Sequence, residues 1–302
     1  MKIIYTLLII AAAAYGYCGD KILLTGTAVY ESCPMIMMQK DPEFVRAGYS
    51  AEFTGWNSPD QYRVAVSQGK SVYVTVSMLD YMRLSGRVKG ASLLFAVENT
   101  PMWFLSCDKD FSMENISGKT IALPFRGDMP EILLDMLLAG KGVDRKKVRV
   151  VSAGGPVSSA QLVMTGRADA VLLPDPMAST AESMSFQDSR LRKLVKKISV
   201  YDEWNRAYQK NIPLIFSGIA GFSTDSGQNS LFRRLYVKYD RICRDNPDRS
   251  VDAFMEYFPA LDRKSAEKIM KNSRVKVSGG SIENGGINKF IGLMKRYVET
   301  EY

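Results

Sequence analysis

Two strand–helix units that follow one another near the middle of the chain constrain its fold more than any other feature. Apolar runs of strand length, GKTIALPF and KVRVVSAGG, are each followed by a helical pattern, GDMPEILLDMLLAGKG and PVSSAQLVMTG, and a third apolar run, ADAVLLP, comes next. Strands connected through helices pair in parallel, because a parallel crossover needs a connection of about that length. The sequence therefore predicts an α/β fold built on mostly parallel strands.

The same alternation continues on both sides of these units. Upstream lie the strand patterns KILLTGTAV, AEFTGW, VYVTV, ASLLFAVEN and PMWFLSCD, and Ser77 with Asp80 fits a capping box that opens one of the intervening helices. Downstream, the strand pattern IPLIFSGIAGFST precedes mostly helical sequence. This order predicts an inserted domain. We expect one lobe from residues 21–105 and 213–302 and a second lobe from residues 106–212, each a mostly parallel sheet flanked by helices.

The composition excludes several classes of site. The 302 residues include no histidine, which excludes a Ser-His-Asp triad, a Cys-His pair, a histidine general base and every histidine-containing metal site. The net charge of +8 comes from lysines and arginines that are scattered along the chain, as is typical of a solvated surface. We therefore expect no cofactor, no bound metal and no nucleic-acid partner.

The amino terminus has the pattern of an export signal. Lys2 precedes an almost wholly apolar run, residues 3–14, which is too short to span a bilayer and fits the core of a secretory signal. The small residues Ala14 and Gly16 fit a cleavage site, so residues 1–16 are predicted to be a signal peptide and the mature protein to be periplasmic or otherwise exported. The sequence leaves open a second interpretation, a lipoprotein anchored through Cys18.

The cysteines do not follow a redox or metal-binding spacing. The four of them, Cys18, Cys33, Cys107 and Cys243, form no CxxC pair and could form up to two disulfides, with three complete pairings. A chain of this size needs no disulfide to stabilise its core, and buried free thiols are common. We predict at least two free thiols in the mature protein.

Several stretches resemble the periplasmic solute-binding proteins of ABC importers, in the branch that handles sulfonates, taurine, nitrate and thiamine precursors. The similarity lies in SQGKSVYVTVSM, in ISGKTIALPFRGDMPEILLDMLLAGKGVDRKKVRVV and in AQLVMTGRADAVLLPDP, which occur in the order and spacing of that family. The resemblance implies two lobes joined by a hinge, with a small solute bound between them. It also implies delivery of the solute to an ABC permease–ATPase complex in the inner membrane, and we expect a monomer.

Candidate ligand-binding residues are those that follow the predicted strands, because open α/β sheets bind ligands at the carboxyl ends of their strands. Eight residues are selected on this ground: Thr27, Tyr30, Trp56, Ser77, Arg126, Asp128, Gly155 and Asp175. The rings of Tyr30 and Trp56 could sandwich a flat ligand, and Gly155 lets backbone N–H groups approach it. No residue is assigned a catalytic role.

The start of the helix at residue 128 bears on the class of the ligand. Where the family has a small or hydroxyl residue, this chain has Asp128, whose carboxylate can occupy the free N–H groups that would otherwise attract an anion. Arg126 could offset this negative charge, so an anion is not excluded. The sequence favours a neutral or zwitterionic solute, such as a heteroaromatic compound, over a small inorganic anion.

Asp175 stands between Pro174 and Pro176 at the end of the strand ADAVLLP. The two prolines are expected to end the strand and to stiffen the turn that follows it. Two interpretations of the acid stay open. It caps the next helix, or it contacts the ligand or the hinge.

These observations together predict a binding protein that captures a small organic solute, and not an enzyme. One alternative is an enzyme on the same fold, similar to those of the menaquinone pathway, but these are cytoplasmic and the predicted signal peptide argues against them. Pyrimidine synthases of the yeast type consume a histidine of their own chain, which is absent here. A further alternative is a periplasmic ligand-sensing domain, which would need a separate partner protein.

Overall fold

The computed structural model describes residues 20–56, 58–259, 261–271, 275–279 and 285–298. The predicted signal peptide, residues 1–16, and the lipidation candidate Cys18 lie outside the described residues. Within the described ranges, no helix is both long and apolar enough to cross a membrane.

Strands and helices alternate along most of the described chain. The strands are β1 (Asp20–Gly26), β2 (Tyr49–Gly55), β3 (Ser71–Ser77), β4 (Ala91–Glu98), β5 (Met102–Ser106), β6 (Thr120–Leu123), β7 (Arg149–Ser152), β8 (Ala170–Pro174), β9 (Lys196–Ser199), β10 (Ile215–Phe222) and β11 (Lys276–Gly279). The helices are α1 (Cys33–Met38), α2 (Pro42–Arg46), α3 (Pro59–Ser67), α4 (Met78–Ser85), α5 (Met129–Gly140), α6 (Pro156–Met164), α7 (Met177–Gln187), α8 (Val200–Tyr208), α9 (Ser226–Asp245), α10 (Pro247–Tyr257), α11 (Arg263–Met270) and α12 (Gly285–Val298). Two short 3-10 helices cover Tyr30–Ser32 and Arg145–Lys147.

The strands form two sheets, one for each lobe. The first sheet has the order β11-β4-β10-β3-β1-β2, and the second has the order β7-β6-β8-β5-β9. In the first sheet β1 to β4 point the same way while β10 and β11 run opposite to them, and in the second sheet only β5 is reversed. The predicted fold class, two lobes with mostly parallel sheets flanked by helices, is confirmed.

Helices cover the central strands, which are buried on both faces. The five inner residues of β3 and all four residues of β6 are buried. In the first lobe α1 packs against α9, and the ring of Phe232 in α9 stacks on Tyr73 of β3 with centroids 4.1 Å apart. In the second lobe α5 buries most of its surface, including Leu133 and Leu137. Removal of this apolar surface from water is the main favourable term in folding.

The chain first crosses between the sheets at residues 99–101. Asn99 has a left-handed backbone (φ 63°), and Pro101 cannot donate to a strand ladder, so β4 ends here and the chain turns. The strand PMWFLSCD, which the sequence analysis placed in the first lobe up to residue 105, pairs with β8 and β9 of the second sheet. The crossing therefore lies before this strand and not after it.

The chain returns to the first sheet at residues 212–214, beside the first crossing. The N–H of Asn99 donates to the carbonyl of Leu214 at 2.9 Å, so the two crossing segments are hydrogen-bonded to each other. Two adjacent connections of this kind define an axis about which two lobes can rotate.

Helix α12 packs against the second lobe. It contacts α5, and Ile287, Phe290 and Met294 are fully buried in the same apolar cluster as Trp204 of α8. The sequence predicts residues 213–302 to be part of the first lobe. The last part of that range, α12, packs instead on the second lobe, because the helices of that lobe bury its apolar face.

Candidate ligand-binding cleft

An open cleft lies between the two sheets, at the carboxyl ends of their parallel strands. Its empty volume is about 1100 Å³, counting the part that opens to solvent. Residues at or after the ends of β1, β2, β3 and β4 line it from the first lobe, and residues after β6, β7 and β8 line it from the second. Open α/β folds bind their ligands at this place, so this cleft is the candidate functional site.

Five of the eight residues selected from the sequence line the cleft: Thr27, Trp56, Ser77, Asp128 and Asp175. They lie at or after the ends of five different strands, β1, β2, β3, β6 and β8. The sheet topology thus brings together side chains that are far apart in the sequence.

Tyr30 lies in the core of the first lobe and does not line this cleft. Its hydroxyl donates to Asp240 Oδ1 at 2.9 Å, and the guanidinium of Arg244 lies 4.6 Å from the centre of its ring. The 3-10 turn that contains Tyr30 places Glu31 at the cleft instead. A ligand ring therefore cannot be sandwiched between Tyr30 and Trp56 in this arrangement, which corrects that expectation.

Arg126 and Gly155 adjoin the cleft but do not line it. Arg126 donates from Nε to the buried Glu131 carboxylate at 3.0 Å and from Nη1 to the Val150 carbonyl at 3.0 Å. These contacts hold its charge away from the cleft lining, so Arg126 does not offset Asp128 there. Gly155 is the N-cap residue of α6, and the residue after it, Pro156, makes the contact with the cleft.

Asp128 is the N-cap of α5, as the sequence predicted. Its Oδ1 accepts a hydrogen bond from the N–H of Met129 at 2.7 Å. Burial raises the pKa of this carboxyl, the Met129 N–H opposes the shift, and the charge of Asp80 adds to it. The positive charges of Arg83 and Arg63 lower the pKa of Asp128 and so oppose the effect of Asp80. A carboxylate in this position makes the start of α5 a poor site for an anion.

Asp80 is a buried acid of the cleft that the sequence analysis did not select as a site residue. Its N–H donates to Ser77 Oγ at 3.1 Å, which is one half of the predicted capping box. Its carboxylate does not complete the box. It accepts hydrogen bonds from Arg63 Nη2 at 2.5 Å and from the hydroxyl of Tyr62. The sequence signal is the stretch SMLD, whose spacing predicts a capping role for the acid and no further contact.

Glu31 is a second acid that the sequence analysis missed. Its side chain is 2% exposed, and its Oε1 accepts a hydrogen bond from the Ser217 hydroxyl at 2.7 Å. Burial raises the pKa of the Glu31 carboxyl, and the Ser217 hydrogen bond opposes that shift. An acid within the otherwise apolar stretch AVYESCPMIMM could have identified it.

Two polar groups of the cleft lining have no hydrogen-bond partner among the described residues. They are the indole N–H of Trp56 and the hydroxyl of Thr100, and both atoms are buried. Thr100 belongs to the first crossing segment and is 3% exposed. Buried polar groups of proteins are almost always hydrogen-bonded, so these two groups are suited to bonds with a molecule in the cleft.

Asp175 is held by hydrogen bonds on both oxygens. Oδ1 accepts from the N–H of Ser179 at 3.1 Å and from its hydroxyl at 2.7 Å, and Oδ2 accepts from Trp103 Nε1 at 2.7 Å. The bond to Ser179 lies in the first turn of α7, so it fits the capping interpretation. The Ser179 hydroxyl also accepts from Lys268 Nζ of the first lobe at 2.8 Å, which links the two lobes beside the cleft.

The lining of the cleft is acidic and apolar. Four carboxyl groups reach it, and none of the described residues that line it is a lysine, an arginine or a cysteine. In the described part of the chain, no three cysteine, aspartate or glutamate side chains are grouped so that they could hold a metal ion. Phe125, Phe216 and several prolines supply apolar surface. Such a cleft can bind an organic molecule that has an apolar body and donates hydrogen bonds.

Comparisons with known proteins agree with this architecture. Residues 96–184 match the family model described as NMT1/THI5 like, and no curated protein matches the chain. The structure of the periplasmic aliphatic sulphonate binding protein SsuA from Escherichia coli has a TM-score of 0.68 and 10% identity, and covers 93% of this chain and 88% of that chain. An ABC transporter structure from Parabacteroides distasonis has a TM-score of 0.68 and 14% identity, with 92% and 93% covered. The ligand binding component of an ABC-type import system from Staphylococcus aureus has a TM-score of 0.65 and 13% identity, with 92% of each chain covered.

At these identities the likeness is one of fold. Residues 96–184 carry an NMT1/THI5-like domain, and the chain as a whole has the two-lobed fold of the periplasmic solute-binding proteins.

Proposed function

We propose that this chain is an exported solute-binding protein that captures a small organic solute between its lobes and delivers it to an ABC-type importer. The observation that carries the proposal is the cleft, which is lined from the carboxyl ends of seven strands in two sheets. Two hydrogen-bonded crossing segments join the lobes next to it. Lobes on such a hinge can close around a solute and open to release it. The import components with the same fold support this function.

The proposed compartment is the periplasm. The predicted signal peptide of residues 1–16 supports export. Cleavage at that site gives a free periplasmic protein, and lipidation of Cys18 is the alternative that keeps the protein at the membrane. The proposed partner is an ABC permease–ATPase complex of the inner membrane, and the proposed state of the binding protein is a monomer.

The proposed binding residues are those that both the sequence and the cleft indicate, together with the polar residues that only the structure revealed: Thr27, Glu31, Trp56, Ser77, Asp80, Thr100, Asp128 and Asp175. The lining favours binding over catalysis. It has no histidine, cysteine or lysine among its described residues, and Asp80 and Asp175 each have both oxygens occupied by hydrogen bonds. The other two carboxyls of the lining, those of Glu31 and Asp128, form no ion pair among the described residues, and we assign them to binding of the solute.

Mass spectrometry of the protein purified natively from the periplasm tests this proposal. We expect one small organic molecule, released chemically unchanged, and its addition to the emptied protein should reduce the radius of gyration in small-angle scattering. Trp56→Ala should weaken binding of that molecule about tenfold or more, because it removes an aromatic contact and a buried donor. Phe186→Ala, at a ring that is 58% exposed on α7, is the control and should bind like the wild type.

Two results would contradict the proposal. One is a periplasmic preparation that carries no small molecule and shows no change in radius of gyration with any periplasmic extract. The other is conversion of the added molecule into a product, which would favour the enzyme alternative.

A further inference from the structure

The charge of the cleft bears on the chemical class of the solute, and this inference rests on the function proposed above. Glu31 of the first lobe and Asp128 of the second lobe both line the cleft. Among the described residues, no lysine or arginine forms an ion pair with either carboxyl, and the hydrogen bond to the Asp128 side chain reaches Oδ1 alone. Asp80 differs, because Arg63 pairs with it at 2.5 Å.

The cation nearest in sequence to Asp128 is not available to it. Arg126 forms an ion pair with the buried Glu131 at 3.0 Å and also donates to a backbone carbonyl. Arg83 and Arg63 influence Asp128 electrostatically, but they do not line the cleft. When the lobes close and water leaves, a carboxylate without an ion-pair partner in the lining costs free energy unless a positive charge binds beside it.

The unpartnered groups of the lining are an independent sign of a polar ligand. The hydroxyl of Thr100 lies in a residue that is 3% exposed, and neither it nor the indole N–H of Trp56 has a described partner. The indole N–H can only donate a hydrogen bond, so its partner in the ligand must be an acceptor atom. The Thr100 hydroxyl can both donate and accept, so its partner can be either kind of atom. The ligand that completes these bonds has an acceptor atom in addition to its positive group.

We infer that the solute is a small organic molecule with a protonated amine that binds the Asp128 carboxylate, and with an acceptor atom for the Trp56 N–H. Its apolar body packs against the Trp56 ring and the phenylalanines of the lining. A sulfonate or nitrate ion without an amine would meet a carboxylate that has no ion-pair partner at the same place.

A pair of matched substitutions tests the role of Asp128. Asp128→Asn removes the charge and keeps a good N-cap, so the thermal midpoint should stay near that of the wild type while affinity for the released solute falls at least tenfold. Asp144→Asn is the control, since Asp144 is an exposed cap in the same lobe whose carboxylate accepts from Lys146 N–H at 3.0 Å. The control should change affinity less than twofold.

The identity of the released solute and calorimetry with defined probes separate the two proposals. The amine assignment expects a basic nitrogen in the released solute and no heat of binding with methanesulfonate or nitrate. A released solute without a basic nitrogen, or micromolar binding of either anion, overturns the amine assignment and leaves solute capture intact. No released solute and no binding of any probe overturns the proposed function and the amine assignment together.

A separate observation concerns two cysteines of the first lobe. Cys33 begins α1 and Cys243 lies in the last turn of α9, and both are fully buried. In the structure both are free thiols in hydrogen-bond contact, with their Sγ atoms 2.7 Å apart. This is well inside the contact distance of two non-bonded sulfur atoms and not far from the bond length of a disulfide, about 2.05 Å.

We propose that Cys33 and Cys243 form a disulfide in the exported protein. The two thiols lose two protons and two electrons as the S–S bond forms, and the disulfide of a thiol–disulfide oxidoreductase, or of oxidised glutathione, is reduced to two thiols. Because both sulfurs are buried in the folded protein, the bond forms while the chain folds. Cys107 is half-buried, in the second lobe, and remains a thiol, so this proposal keeps the predicted minimum of two free thiols if Cys18 stays in the mature chain.

Alkylation of the denatured exported protein without reductant tests the disulfide. We expect a linked pair of peptides that contain Cys33 and Cys243, with Cys107 fully alkylated. Cys33→Ser should lower the thermal midpoint by roughly 5 °C or more, and addition of reductant during refolding should lower that of the wild type similarly. Cys107→Ser is the control and should retain the linked pair. Complete alkylation of Cys33 and Cys243 in the exported protein would overturn the proposal.

Discussion

Replacement of Trp204 by alanine is expected to lower the free energy of unfolding by about 3–5 kcal/mol, as is usual for truncation of a large buried aromatic side chain. Trp204 is fully buried between the second lobe and α12, with its ring 5.7 Å from that of Phe290 and 4.4 Å from that of Tyr208. Its indole N–H also donates to the carbonyl of Ile212 at 2.8 Å, at the start of the return crossing. The substitution therefore leaves a cavity and an unpaired carbonyl beside the hinge.

Equilibrium unfolding in urea, followed by circular dichroism, measures this loss without relying on tryptophan fluorescence. Trp204→Phe keeps a six-membered aromatic ring and removes the five-membered part of the indole with its N–H, so it should cost less, about 1–2 kcal/mol. Phe186→Ala removes an aromatic ring of the same lobe that is 58% exposed, and should change stability by less than about 0.5 kcal/mol. A loss below about 1 kcal/mol for Trp204→Ala would contradict the packing of α12 described above.

Replacement of Glu31 by glutamine is expected to stabilise the protein at neutral pH, by about 1 kcal/mol or more. The side chain is buried without a cationic partner among the described residues, and glutamine keeps the acceptor for the Ser217 hydroxyl at Oε1. Burial raises the pKa of Glu31 in the folded protein above its ordinary value. Between the unfolded and folded pKa values the folded state binds more protons, so the stability of the wild type falls as pH rises through that interval.

The pH dependence distinguishes this effect from a simple change in packing. Below the unfolded pKa, about 4.3, Glu31 is neutral in both states, and the variant and the wild type should be equally stable. The advantage of the variant should grow as pH rises and then level off. Urea unfolding across this range measures it, with the exposed Glu52→Gln as a control that stays near zero at every pH. A difference that does not change with pH would contradict the buried charge.

A buried acid that lowers stability, in the lining of a cleft, is typical of a residue that is kept for function. We therefore expect Glu31→Gln to bind the released solute less tightly than the wild type, although it is more stable.

The elements that the sequence predicted well are those whose signals are local. The strand–helix units of the second lobe appear as β6, α5, β7, α6 and β8, and Asp128 caps α5. Each of these depends on the periodicity or the capping preference of a few neighbouring residues. Because the strand–helix alternation also predicts where each strand ends, residues selected at the carboxyl ends of different strands lie in the same cleft, as five of them do.

What the sequence did not predict depends on contacts between distant residues. The pattern of β5 identifies a strand, but its membership of the second sheet depends on pairing with β8, about seventy residues later. After β1, one 3-10 turn decides that Glu31 faces the cleft while Tyr30 enters the core. Arg126 was considered beside Asp128, but the buried Glu131 binds it instead.

The position of α12 limits how far the lobes can separate. The chain passes between them at residues 99–101, at residues 212–214, and a third time between β11 of the first sheet and α12 on the second lobe. Two adjacent connections allow the lobes to rotate about one axis. The third connection is separate in sequence, and only five residues lie between the end of β11 at Gly279 and the start of α12 at Gly285. A segment of that length spans at most about 20 Å when fully extended. If the lobes open as proposed, the number of residues between β11 and α12 sets an upper limit on their separation, so we expect insertion of residues after Gly279 to widen the open state without altering the cleft itself.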